Sequence, residues 1–158
     1  MNSADSAAPA ADTSPSFDLG SLRSASTAEM HLRHPISGAP LGWVWTIAGP
    51  GHDATVKLQN EFARDRLIEE KAKEQARVNG KKWKSPETSA EEERAKFVRR
   101  ISRRVLGFPA CNLNGEKLTY SPEAVFRLLN DEEFGWLFTQ LVEFLGEDAS
   151  FIKGSATS

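Results

Sequence analysis

The sequence predicts an α+β fold: an N-terminal β-hairpin followed by about four α-helices, with flexible termini. Three observations predict it. Apolar residues alternate around a Pro- and Gly-rich turn between Met30 and Ala48, the pattern of two paired strands. Downstream, apolar residues recur every three or four positions in stretches opened by Asp53, Ser89, Ser121 and Asp131, side chains that cap helices. Residues 1–27 are by contrast mostly Ala, Ser, Pro and Asp, too poor in apolar surface to offset the entropy of ordering. The expected division is a disordered N-terminal arm at 1–27, a single α+β domain at 28–152 and a flexible tail at 153–158.

In the arm, Phe17, Leu19 and Leu22 are the exception to the small and polar composition. The first strand is expected where Met30 and Leu32 alternate with His31 and Arg33. Pro35-Ile36-Ser37-Gly38-Ala39-Pro40 supplies the turn, since proline fixes φ and Gly38 permits a positive one. Leu41 to Ala48 returns as a strand with Trp43, Trp45 and Ile47 on one face, bounded by Gly49-Pro50-Gly51. A lone hairpin is marginal in water, so one face must pack on helices or pair with another chain.

Asp53 is the expected N-cap of a long helix from about Ala54 to Val78, ended by Asn79-Gly80. Its apolar content is thin, which predicts a projecting helix with one narrow buried stripe. Ser89, with Glu92 three residues on, opens a second helix whose stripe is Phe97, Val98, Ile101 and Val105 and whose stop lies near Gly107. Asn112 to Gly115 reads as a turn before the run Lys117–Tyr120. Ser121-Pro122-Glu123 then starts a third helix. Asp131-Glu132-Glu133 opens the last, with Phe134, Leu137, Phe138, Leu141, Val142 and Leu145 as its apolar stripe.

With 158 residues, 39% hydrophobic and a mean hydropathy of −0.45, the chain has the composition of one soluble domain. No apolar run approaches the ~20 residues needed to cross a bilayer, so no membrane partner is expected. The N-terminal stretch lacks the basic and apolar regions of a secretory signal. A single cysteine, Cys111, excludes an internal disulfide and every multi-cysteine zinc site. The formal net charge of −2 hides an uneven distribution. Residues 57–104 carry fifteen bases against nine acids, and residues 106–158 three bases against eight acids.

Residues that carry chemistry are scarce, and no catalytic, cofactor or metal site is expected. His31 and His34 have metal-pair spacing, but strand alternation sends them to opposite faces. Gly49-Pro50-Gly51-His52-Asp53 at a helix start lacks the lysine of a phosphate loop. Arg99, Arg100, Arg103 and Arg104, with Lys81, Lys82, Trp83 and Lys84 upstream, form a possible basic contact face. No recognised nucleic-acid motif surrounds it, so nucleic acid is not the expected partner.

The segments Glu29 to Gly42, Trp43 to His52 and Asn112 to Glu123, together with Leu128-Leu129 and the closing Phe151, carry a family resemblance. They resemble the tail assembly chaperones of long-tailed, siphovirus-like bacteriophages and prophages: strand, His-Pro to Gly turn, strand ending in Gly-Pro, and then a long charged helix. Phe108-Pro109-Ala110-Cys111 stands where family members often carry a tryptophan. The resemblance spans about Glu29 to Ile152. It implies a non-enzymatic protein of the host cytoplasm, absent from the mature virion. Such a protein binds the tape-measure protein, keeps it soluble and helps recruit tail-tube subunits. Self-association is compatible with it. A minor structural protein of the tail or neck, or a small nucleic-acid-binding regulatory phage protein, remains the alternative. On the chaperone reading, Trp43, Trp45 and Ile47 form the expected client-binding face, with Trp43 or Trp45 partly exposed as an anchor. Each tryptophan also has a plain alternative as core.

Overall fold

The computed structural model describes residues 16–147, 151 and 152, and its architecture is α+β, with four α-helices and small antiparallel sheets. Strand β1 (Thr27–Arg33) pairs antiparallel with β2 (Pro40–Ala48), Ala28 opposite Ile47 and Met30 opposite Trp45. The turn closes as the His34 amide donates to the Ala39 carbonyl (2.8 Å) and the Gly38 amide to the His34 carbonyl (2.9 Å). Gly38 sits at φ +74°, a conformation that costs a side chain-bearing residue strain. The expected hairpin is therefore present, with its alternation intact: Met30, Leu32, Trp45 and Ile47 point inward.

Helix α1 (Asp53–Val78) is capped by His52, not by Asp53. The backbone is still extended at His52, and its imidazole Nδ1 accepts from the Ala54 amide (3.0 Å), while Asp53 is already helical and complements the dipole from the first turn. At ~1.5 Å per residue, 26 residues span about 39 Å, yet only Thr55 and Leu58 are buried. The helix projects, as its thin stripe predicts.

Helix α2 (Ala90–Ser102) begins at Ser89, whose hydroxyl accepts from the Glu92 amide (3.1 Å). It ends five residues short of the expected stop at Gly107. Arg103 and Arg104 donate to the carbonyls three residues back, tightening the last turn. Val105–Gly107 then becomes β3, which pairs with β2 in the order β1-β2-β3. The Ala48 amide donates to the Arg104 carbonyl (2.7 Å), so pairing to β2 outcompetes another helical turn, helped by the β-branched Val105.

A two-stranded hairpin follows, β4 (Cys111–Leu113) and β5 (Glu116–Leu118). Its two-residue turn is Asn114-Gly115, both at positive φ, as a type I′ turn requires. Helix α3 (Pro122–Asn130) carries the expected Ser121 cap and first-turn proline. Asp131 opens a short 3-10 turn (Glu132–Phe134) rather than the last helix. Helix α4 (Gly135–Gly146) starts after it, without a side-chain cap.

The inner face of the sheet packs on Val98 from α2, Val125 and Leu129 from α3, and Leu137 and Leu141 from α4. The arm expected to be disordered falls partly outside the described residues. Its described part, 16–27, has regular structure. A 3-10 turn (Leu19–Leu22) is capped by Asp18, Ser24 forms a bridge with Ile152, and the Ala25 amide donates to the Phe151 carbonyl (2.6 Å). Phe151 is buried against Phe144, and that burial holds the segment in place. The expected tail at 153–158 lies outside the described residues.

Candidate functional site

Of the expected client-binding face, Trp45 and Ile47 are wholly buried and belong to the core. Trp45 stacks on Phe108 with 5.2 Å between ring centroids and meets the edge of Trp43 at 5.3 Å; Tyr120 closes the cluster against Phe108. Sequence spacing cannot reveal this, because Phe108 and Tyr120 come from segments far along the chain. Trp43 differs. It is half-buried, and its indole N–H donates to the Pro109 carbonyl (2.9 Å). Of the two tryptophans, Trp43 is the partly exposed one.

The four arginines are held by the protein itself. Arg103 pairs with Glu61 and Arg100 with Asp65, both from α1, while Arg99 reaches Glu123 on α3 at 3.4 Å. The Arg103 guanidinium holds the Glu61 carboxyl below the usual carboxylate range, and Arg100 does the same to Asp65. Arg104 donates twice to the Ala48 carbonyl (2.7 and 3.1 Å) and lies over the Phe151 ring. Burial lowers its pKa from the ordinary arginine value. Arg100, Arg103 and Arg104 brace α1 and β2 against α2, while Arg99 and Arg103 stay partly exposed and Lys81, Lys82 and Lys84 lie exposed upstream.

The remaining candidates are structural. His34 Nδ1 accepts from the Ile36 and Ser37 amides (3.1 and 3.3 Å) and organises the hairpin turn. His31 is exposed beside Glu29. Cys111 is half-buried, and burial pushes its thiol pKa up, away from a reactive thiolate. At Gly49-Pro50-Gly51 the Gly49 amide donates to the Ser26 carbonyl (2.7 Å). Among the described residues no group of three or more His, Cys, Asp or Glu gathers as a metal site, and no helix is long and apolar enough to cross a membrane.

Exposed apolar surface is the feature left over. On α1, Leu67, Ile68 and Val78 are more than half exposed. Between α2 and α4, Phe97 meets the edge of Phe138 at 6.3 Å, the Arg94 guanidinium caps Phe138 at 5.7 Å, and Val142 lies one turn further along α4. Phe97 and Val142 are both exposed. Counting them into buried helical stripes hid this patch; Arg94, one turn before Phe97, was the available signal. No family model, no curated protein and no solved structure matches this chain.

Proposed function

We propose that the protein is a tail assembly chaperone of a long-tailed bacteriophage or prophage, acting by binding the tape-measure protein and helping to recruit tail-tube subunits. The observation that carries the reading is a 26-residue helix that buries only Thr55 and Leu58 and presents Leu67, Ile68 and Val78 to solvent. Such a helix and, separately, the Phe97–Phe138 patch offer apolar surface to a long helical client. The resemblance of the hairpin and of the Asn112–Glu123 segment supplies the identity of that client. The internal pairing of the arginines favours a protein partner over nucleic acid. The chaperone acts in the host cytoplasm and leaves before the virion is complete. Mass spectrometry of purified virions tests this: the account expects tape-measure and tube peptides and none from this chain. Stoichiometric recovery of the chain from virions overturns it in favour of a structural protein.

A further inference from the structure

Between the β4–β5 hairpin and α3 lies an open cleft of about 350 Å³. Its apolar floor is Leu113, Leu118, Leu128 and Phe134. Four charged side chains line it as well. Lys117 and Arg127 balance Glu116 and Asp131, and none of the four has an ion-pair partner among the described residues. The balance breaks beside the opening. Glu132 and Glu133 follow Asp131 on the exposed 3-10 turn and are likewise without an ion pair among the described residues. The cleft thus joins an apolar floor to a negative approach.

Its size is at the low end for sites that take small ligands, and ample for one large apolar side chain. Small-molecule sites set a few convergent polar groups in an enclosed apolar wall. Here the charges are exposed and the cleft is open, which suits an anchor residue presented by another polypeptide. The acidic surround selects the sign of that polypeptide.

We propose that this cleft receives a leucine- or phenylalanine-sized side chain from a basic amphipathic helix of the client. The inference rests on the protein-binding reading and adds the chemistry of the segment recognised. Lysines or arginines flanking the anchor meet Glu116, Asp131, Glu132 and Glu133, while the anchor covers Leu118 and Leu128. For an acidic helix these four carboxylates outnumber Lys117 and Arg127, so the net interaction is repulsive.

The test uses the full chain and two fluorescent synthetic 15-residue helical peptides, one of Leu and Lys at amphipathic spacing and one with Glu replacing Lys. Anisotropy is read at about 0.05 and 0.5 M salt, since screening weakens only the charge contribution. Ala124→Phe fills the cleft without changing charge. It is expected to weaken the Leu/Lys peptide at least tenfold at both salts, ~1.4 kcal/mol. Glu132→Lys with Glu133→Lys is expected to weaken it at low salt only. The Glu peptide is expected not to bind. Leu118→Gln, on the hairpin side of the cleft, repeats the comparison should Ala124→Phe melt early. Equal binding by wild type and the cleft variants, or no binding by wild type, overturns the proposal. Retained tape-measure co-purification by Ala124→Phe would then leave the chaperone reading standing and reject only the cleft.

Discussion

Replacing Trp45 separates a core role from a contact role. The side chain is fully buried, stacked on Phe108 and opposite Met30 in the sheet. Burial of a tryptophan removes roughly 150–250 Å² from water, worth about 4–6 kcal/mol at ~25 cal/mol per Å². Measured losses for large aromatic truncations run at about 3–5 kcal/mol, because the surroundings partly collapse. A domain of this size has a total stability of about 5–15 kcal/mol, so Trp45→Ala takes a large share of it. Trp45→Phe is the informative partner. The indole Nε1 is buried without a hydrogen-bond partner among the described residues, and an unsatisfied donor costs about 1–3 kcal/mol. Phenylalanine gives up some area but removes that donor, and its stability is expected within about 1 kcal/mol of wild type. Urea unfolding followed by far-UV circular dichroism measures both. A Trp45→Ala protein as stable as wild type would show that Trp45 is not part of the core, and a Trp45→Phe protein as damaged as Trp45→Ala would show that the indole N–H is not an unsatisfied cost.

Trp43→Ala is expected to cost less stability than Trp45→Ala, about 1–2 kcal/mol, because Trp43 is half-buried and loses a hydrogen bond to Pro109; thermal melts of the pair give the order. Gly49→Ala places a Cβ well inside contact distance of the Ala25 carbonyl and 3.1 Å from that of Ser26, so it pushes the 24–26 segment off β2. Limited proteolysis is expected to cut that variant near residue 25 sooner than wild type. Glu61 and Asp65 have lowered carboxyl pKa values when folded, so their stabilisation is present at neutral pH and is lost as pH falls through the folded values. The acid limb of a melting temperature–pH curve is expected to flatten in Arg100→Ala with Arg103→Ala, and an unchanged slope counts against the two pairs. Gly115→Ala, at φ +82°, is expected to cost about 1 kcal/mol in the same melts.

Much of the fold was legible because local chemistry and tertiary packing agree. Alternation at Met30, Leu32, Trp45 and Ile47 specified the hairpin, and Ser89 and Ser121 cap the helices they were expected to cap. The misreadings arose where a distant partner decides. Val105 fits the helical stripe of α2, but β2 offers its backbone a better partner, and the helix stops at Ser102. His52 and Asp53 are both competent caps, and the extended backbone at His52 chose between them. The candidate surfaces were less legible. Trp45 and Ile47 look like a contact face until Phe108 and the helices cover them, and the four arginines look free until α1 brings acids to Arg100 and Arg103, α3 brings Glu123 to Arg99 and β2 brings the Ala48 carbonyl to Arg104. The cleft between β4–β5 and α3 has no sequence signature, since its floor draws on four separate elements, β4, β5, α3 and the 3-10 turn.

Co-expression in bacteria with the tape-measure protein shows whether this chain holds the proposed client in solution. The tape-measure protein is expected to be insoluble alone, soluble with this chain, and recovered with it on affinity purification. The charge reversals Arg99→Glu, Arg100→Glu, Arg103→Glu and Arg104→Glu are also expected to lower thermal stability by setting acids against Glu61 and Asp65. A tape-measure protein that stays insoluble, alongside submicromolar nucleic-acid binding at physiological salt that those reversals abolish, contradicts the account.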